Sequence, residues 1–199
     1  MTAPRSAVGS QARAVAIVCM VVSGVSGASS VTTAFALFDI GRSTEALPRG
    51  TPTADLLARI SEAQARAMKP DRQARAALLL LLAVSMFFTF VCAGRVLRPA
   101  GLPREGIRRL LCGAAVISAG LRTVDGAADA AFALRLARLA PQVLPPGQPI
   151  PPEWLASTVS LGISVVQTVL VAGTLAIIAQ YFRSARVKAW AALGDETPR

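Results

Sequence analysis

Four long apolar segments divide this chain, and they constrain its fold more than any other feature. They cover residues 14–38, 76–95, 107–136 and 155–181. A helix needs about 20 apolar residues to cross the hydrocarbon core of a bilayer, and each segment meets that length. The sequence therefore predicts an all-α fold, a four-helix transmembrane bundle that forms one integral membrane domain over residues 1–199.

The loop between the first two segments shows the signs of a short amphipathic helix over residues 52–69. Thr51 and Pro52 form a favourable helix start, and Pro70 ends the helix near Lys69. The apolar residues of one helical stripe are Leu56, Leu57, Ile60, Ala63, Ala67 and Met68. We expect this helix to lie at the membrane interface or to cap the bundle, and a partner-binding role stays open.

The two ends of the chain give weaker signals. Residues 14–38 could be the core of a secretory signal, because the small residues at 27–29, and those at 34 and 36, have cleavage-like spacing. The segment is longer than a typical signal core of roughly 7–15 residues, so we expect an uncleaved anchor, with cleavage as the alternative. At the other end, the polar tail 183–199 shows no fold of its own.

Composition excludes several classes of function. A net charge of +10 could indicate nucleic-acid binding, but the Lys and Arg residues lie mostly in loops that flank the apolar segments. We therefore expect the lipid bilayer as their partner and no nucleic acid. The chain has no histidine, and each of its three cysteines is isolated in an apolar segment, which argues against haem, zinc, catalytic-triad and C-x-x-C chemistry. We expect no metal, no cofactor and no enzymatic activity.

The basic residues predict an orientation. Arginines crowd the second loop, at Arg95, Arg98, Arg104, Arg108 and Arg109. The first loop spreads its cations over residues 39–72. Because dense Lys and Arg near the ends of spans mark the cytoplasmic side, we expect this basic loop and both termini in the cytoplasm. We expect the chain to cross the cell (inner) membrane several times.

The charges inside the third segment are the strongest candidate for a site. Arg122, Asp125 and Asp129 have spacings of three and four, so they share one helical face. On insertion scales, each such charge costs about 2.5 to 3.5 kcal/mol at the centre of a membrane helix. We predict that Arg122 pairs with Asp125, which leaves Asp129 in need of a donor or a proton.

Small polar residues of other segments are expected at the same depth, in the outer half of the membrane. With the three charged residues they form a predicted intramembrane polar cluster, whose further members are Ser30, Thr33, Ser160, Ser164 and Gln167. Three interpretations stay open. The cluster could be a structural ion pair that fixes helix register, a proton- or solute-handling site with an unpaired Asp, or a docking site for a charged residue of a partner's membrane helix.

The stretch from Leu102 to Leu110, Leu-Pro-Arg-Glu-Gly-Ile-Arg-Arg-Leu, follows an apolar segment that ends in Arg95. It resembles the cytoplasmic loop of a family of small bacterial four-helix membrane proteins, in which a Pro–acidic–Arg-Leu motif leads into the third helix. The function of that family is not established, and some members are encoded beside small helix-turn-helix regulators. The resemblance implies a four-helix topology and a sensor or regulator pair.

These features predict a non-enzymatic polytopic membrane protein. Its expected role is that of an accessory, structural or regulatory subunit that acts through helix–helix contacts with another membrane protein or with itself. The alternative is a small transporter or proton-coupled membrane protein that uses Asp125 and Asp129.

Overall fold

Helices account for almost all of the chain that the computed structural model describes, which is residues 5–43, 52–97, 103–143 and 152–195. In chain order they are α1 (Arg5–Ser43), α2 (Pro52–Met68), α3 (Arg72–Leu97), α4 (Arg104–Val143), α5 (Pro152–Arg183) and α6 (Ala185–Asp195). A short 3-10 turn, Lys69–Asp71, connects α2 to α3. The all-α prediction is confirmed.

Four candidate membrane spans lie in this part of the chain. They are Val8–Phe38, Ala58–Leu97, Arg104–Leu139 and Gly162–Arg183. The second span is carried mainly by α3, and the others lie in α1, α4 and α5. The spans pack together, α1 mainly against α3 and α4 against both α3 and α5. The predicted four-helix bundle is therefore confirmed, and its helices are longer than the predicted apolar segments.

Large apolar side chains cover the outer faces of the bundle. Val84, Phe87 and Ile177 are 67%, 66% and 69% exposed, and each lies in a candidate span. Many exposed large apolar side chains of this kind are unfavourable in water but favourable in hydrocarbon. The chain is thus a multi-pass integral membrane protein whose outer surface contacts the lipid bilayer.

The interior of the bundle is built from small residues and a few large ones. On α1, a Cβ added at Gly27 would lie 3.3 Å from Cβ of Met86 on α3, so the missing side chain allows the two helices to approach closely. The largest fully buried side chains are Phe182, Leu82, Met86, Leu111 and Leu175. These side chains form the main apolar core together with Cys19, Ile178 and Val187.

The amphipathic helix predicted in the first loop is α2. It begins at Pro52 and ends at Met68, because proline suits the first helical turn and Pro70 cannot continue the helix. Its apolar stripe is buried at Ile60, Ala63 and Ala67, and it packs against α4. The helix therefore caps one end of the bundle.

The expectation that the C-terminal tail has no fold of its own is wrong. After a bend at Ser184 the chain continues as α6, which packs against α4, α1 and α5. Val187 and Ala191 are buried, and Trp190 on the same face packs against the core. The spacings of three and four among these residues are typical of a helix with one apolar face, but the stripe is too short to stand out in a polar tail.

Candidate functional site

The two ends of the bundle differ in their charge chemistry. We call the basic end the one where the first turns of α1 and α4 meet the last turns of α3 and α5, covered by α6. The opposite end holds α2, the start of α3, the end of α4 and the start of α5. The predicted basic loop lies at the basic end, and the predicted polar cluster lies toward the opposite end.

Arg122 and Asp125 form the ion pair that their spacing predicts. Arg122 Nη1 donates to Asp125 Oδ2 at 2.5 Å, one helical turn away on α4. The two side chains are 10% and 2% exposed, so the pair is inside the bundle and not in lipid. Pairing in this position is what makes both charges tolerable in a span, because an isolated charge in hydrocarbon is costly.

Asp129, which the sequence leaves without an assigned partner, has two donors on two other helices. Arg75 on α3 forms an ion pair with Oδ1, and Oγ of Ser164 on α5 donates to Oδ2. Arg75 and Asp129 are 13% and 8% exposed. The guanidinium group of Arg75 also lies over the ring of Phe132, 5.9 Å from the ring centroid. Asp129 thus joins α3, α4 and α5, and it is not an unpaired carboxylate.

Sequence reasoning missed Arg75 as a member of the cluster. The second apolar segment is predicted to begin at residue 76, which leaves Arg75 just outside the predicted span, whereas α3 already begins at Arg72. A usable signal was present. The cluster is predicted in the outer half of the membrane, and a basic residue at the outer start of the neighbouring second segment lies at a similar depth.

The other predicted members of the cluster differ in whether they contact its charged residues. Ser164 joins the network. Ser30 is buried on α1 but donates within its own helix, to the carbonyl oxygen of Ser26 at 2.9 Å. Thr33 is exposed and donates to the carbonyl oxygen of Ser29, so it does not face the cluster. Gln167 is half-buried on α5.

Ser160 also belongs to α5, but its side chain lies outside the described residues. Among the described side chains, only Ser164 of the five added small polar residues is therefore brought into contact with the charged residues. The failure has a physical cause. A serine or threonine in a helix can satisfy its hydroxyl on the carbonyl of the preceding turn, so it needs no partner on another helix.

The approach of α4 to α5 is closest beside the ion pairs. A Cβ added at Gly126 would overlap Cγ2 of Thr168 and would lie 2.9 Å from its Oγ1. Glycine at this position therefore lets the two helices pack together between Asp125 and Asp129. Within the described structure, Thr168 Oγ1 and Asp125 Oδ1 are buried polar atoms without a hydrogen-bond partner. The cluster is balanced in charge but not completely hydrogen-bonded.

Deeper toward the basic end, three hydroxyl groups connect α3 to α4. Ser85 Oγ lies 2.7 Å from Ser118 Oγ, which lies 3.0 Å from Thr89 Oγ1. Thr89 also donates to the carbonyl oxygen of Ser85 at 2.9 Å. Such interhelical hydroxyl contacts contribute modestly, about 0.6 kcal/mol on average in membrane helices.

The arginines of the predicted basic loop differ in burial at the basic end. Arg108 is 6% exposed, and its guanidinium group donates to both carboxylate oxygens of Glu105 at 2.6 Å. It also donates to the carbonyl oxygen of Phe182 at 2.6 Å, in the last turn of α5, where helix carbonyls lack partners. Arg109 shares Glu105 but is 74% exposed.

Arg95 and Arg104 lie with Arg108 around a cavity that Arg13 of α1 also lines. Arg98 lies outside the described residues. The structure therefore gathers three of the five predicted loop arginines at one place and adds a fourth from the first helix. The sequence could not show this, because Arg13 is distant along the chain and belongs to another span.

The charges of the cluster are paired with one another. Both carboxylates of the cluster are bound to arginines, so neither is an exposed base, and two ion pairs leave the cluster neutral. Comparison of the chain with models of protein families, with curated proteins and with solved structures gives no match.

Proposed function

We propose that this chain is a non-enzymatic membrane protein that serves as an accessory, structural or regulatory subunit and acts through helix–helix contacts. The observation that carries the proposal is that each buried charge among the described residues takes part in an ion pair. Arg75 on α3 binds Asp129 on α4, and Arg122 binds Asp125 within α4, so the charged groups inside the bundle are used by the chain's own fold. The interpretation of the cluster as a structural ion-pair network is the one that this geometry favours.

Two outer faces offer places for another helix. On α4, Gly113, Ile117, Gly120 and Val124 are exposed and follow spacings of four, three and four. A Cβ added at Gly113 or Gly120 would meet nothing within 4 Å, so these glycines are not explained by packing within the chain. Small residues on the lipid-facing side of a membrane helix allow a second helix to approach closely.

The outer face of α5 repeats the pattern. Gly162, Val166, Val169 and Gly173 are exposed with the same spacings, and a Cβ added at either glycine would meet nothing within 4 Å. The α4 and α5 faces are the surfaces that we assign to a partner span or to a second copy of the chain.

Substitution of the outer glycines tests the proposal. The variant Gly113→Leu/Gly120→Leu should lose its stoichiometric partner, or its self-association, when the protein is crosslinked in native membranes and purified in mild detergent. Ala36→Leu adds comparable bulk on the exposed face of α1 and should keep it. Gly162→Leu/Gly173→Leu tests the α5 face in the same way. If a glycine variant recovers as much partner as Ala36→Leu does, the face that carries its glycines is not the binding surface.

A second candidate function is proton or solute transport through the charged cluster. It is favoured by the buried polar atoms that have no hydrogen-bond partner in the described structure, Asp125 Oδ1 and Thr168 Oγ1. Water or a small polar solute would satisfy them. In proteoliposomes, a transporter would show pH-dependent flux that Asp129→Asn abolishes without loss of folding. A subunit of the proposed kind would show no such flux.

For the orientation, we propose that the basic end faces the cytoplasm. The exposed arginines of that end include Arg13, Arg95 and Arg109, whereas at the opposite end Arg75 is inside the bundle and does not count as a loop charge. Cysteines placed at Leu102 and Thr53 should label from opposite sides with an impermeant thiol reagent. The native cysteines are all buried and should not react. Labelling of Leu102→Cys from outside the cell would contradict the proposed orientation.

A further inference from the structure

The basic end encloses a cavity of about 90 Å³ at the point where all the long helices converge. Its lining includes Arg13 of α1, Arg95 of α3, Arg104 and Arg108 of α4, and Trp190 of α6. A site needs roughly 10–15 Å³ of such volume to hold one water, so the cavity has room for a group the size of a phosphate. We call it the arginine pocket.

The charge of the arginine pocket is strongly one-sided. Four guanidinium groups line it, and none of its described lining residues is acidic. Glu105 does not line the cavity. It forms an ion pair with Arg108 and a second one with Arg109, so one carboxylate serves two arginines. Arg13 and Arg95 form no ion pair within the described residues. Guanidinium groups that are arranged around a small space match the oxygens of an oxyanion, above all a phosphate.

The arginine pocket is held in a fixed shape. Arg108 is buried and anchored to the last turn of α5 through the carbonyl oxygen of Phe182. Arg104 lies over the ring of Trp190, 5.4 Å from the ring centroid. Trp190 in turn packs against Gly9, where an added Cβ would lie 3.3 Å from Nε1 of the indole. Tryptophan favours the headgroup level of a bilayer, so the pocket lies where lipid headgroups are found.

An apolar groove adjoins the arginine pocket between α1 and α3. It encloses about 520 Å³ and is lined by Met20, Val91, Gly94 and Leu97. Arg95 lines both the groove and the arginine pocket. A phosphate site that continues into an apolar groove on the lipid-facing side matches a molecule with an anionic head and a hydrocarbon chain. A soluble phosphate ester would leave the groove without a role.

We propose that the arginine pocket binds the phosphate of an anionic phospholipid whose acyl chain lies in the groove beside Gly94. Basic pockets between membrane helices are suited to anionic headgroups. The ligand chemistry is that of a phosphate ester, and the groove selects the lipid as its source. The site would tie the composition of one leaflet to the packing of α1, α3, α4 and α6.

The test measures retention of defined lipids by the full-length protein in detergent, by native mass spectrometry. Dioleoyl phosphatidylglycerol should bind more tightly than dioleoyl phosphatidylcholine. The variant Arg13→Gln/Arg95→Gln should weaken phosphatidylglycerol binding about 25-fold, because each cation near an anionic headgroup contributes roughly fivefold. Both side chains are exposed, so the variant should fold normally. Arg183→Gln/Arg186→Gln removes two exposed arginines of the same end outside the pocket and should leave binding unchanged.

Two further arms separate the lipid from a soluble phosphate. Gly94→Leu, which fills the groove, should weaken phosphatidylglycerol binding. Competition with glycerol 3-phosphate should not displace the lipid. In a Trp154→Phe background, the emission of Trp190 should shift with phosphatidylglycerol and not with glycerol 3-phosphate. Displacement of phosphatidylglycerol by glycerol 3-phosphate would show that the pocket binds a soluble phosphate ester and not a lipid. Equal binding of the two lipids, or equal effects of the pocket and control variants, would overturn the site itself.

Discussion

The charged cluster and the arginine pocket use the same cation in opposite ways. In the cluster, Arg75 and Arg122 are at most 13% exposed, and each holds one aspartate. In the arginine pocket, four arginines line one cavity, none of the described lining residues is acidic, and Glu105 beside the cavity is shared between Arg108 and Arg109. Among the described residues, each arginine of the cluster has its own carboxylate, whereas Arg13 and Arg95 of the arginine pocket form no ion pair.

The difference follows from depth. In hydrocarbon a guanidinium group has neither water nor counter-ion, so an internal carboxylate has to accompany it into the fold. At the headgroup level, water and anionic lipid are present, and arginines can stay uncompensated. The pairing of the buried charges is what the proposed structural role of the cluster requires, and the arginines gathered at the basic end are what the proposed lipid site requires.

The largest effect should come from Arg75→Leu. It leaves the carboxylate of Asp129 buried with only the hydroxyl of Ser164, and breaking a buried pair costs about 3–5 kcal/mol. The double variant Arg75→Leu/Asp129→Leu should lose less than the sum of the single variants. The measurement is the free energy of unfolding in mixed micelles.

Arg66→Leu is the matched control for that experiment. Arg66 pairs with Glu62 on α2, but both side chains are more than 60% exposed, and such pairs contribute about 0–1 kcal/mol. If Arg75→Leu costs no more than Arg66→Leu, the contrast between a buried and a solvated pair does not hold for this protein.

Arg122→Leu should cost less than Arg75→Leu, about 2 kcal/mol. Both members of this pair lie on α4, so its loss separates no helices, and Arg75 also attracts Asp125. The cycle of Arg122→Leu, Asp125→Leu and the double variant should show a non-additive coupling in the same unfolding assay. Strictly additive losses would mean that the two side chains do not interact.

Gly126→Ala should destabilise the bundle by about 1 kcal/mol, because the new methyl group overlaps Thr168. Thr168→Ala in the same chain should restore most of the loss, since it removes the overlapping atoms. Gly120→Ala serves as the control, because its added Cβ meets nothing within 4 Å. A loss from Gly126→Ala that Thr168→Ala does not relieve would place the close contact elsewhere.

The smallest effect should come from Arg95→Leu. The side chain is exposed at the headgroup level, so the free energy of unfolding should change by less than about 0.5 kcal/mol. Removal of one of four like charges can even be favourable. A loss comparable to that of Arg75→Leu would show that Arg95 is a structural residue and would remove the distinction between the two regions.

The sequence by itself determined the membrane architecture. Apolar length fixes a span because bilayer thickness is constant, and that length is visible without any knowledge of neighbours. The start of α2 at Pro52 and the pair Arg122–Asp125 were also predictable, because capping and i, i+3 spacing act within one helix.

Only the tertiary structure decided which helix supplies a partner to which. The pairing of Arg75 with Asp129, the exclusion of Thr33 and the arrival of Arg13 beside Arg108 depend on the rotation and depth of helices that are distant in sequence. Apolar periodicity locates a face only coarsely when nearly every residue of a span is apolar. For α6, the deciding contacts were those of Val187 and Trp190 with the bundle, because so short a helix is stabilised by packing rather than by its own residues.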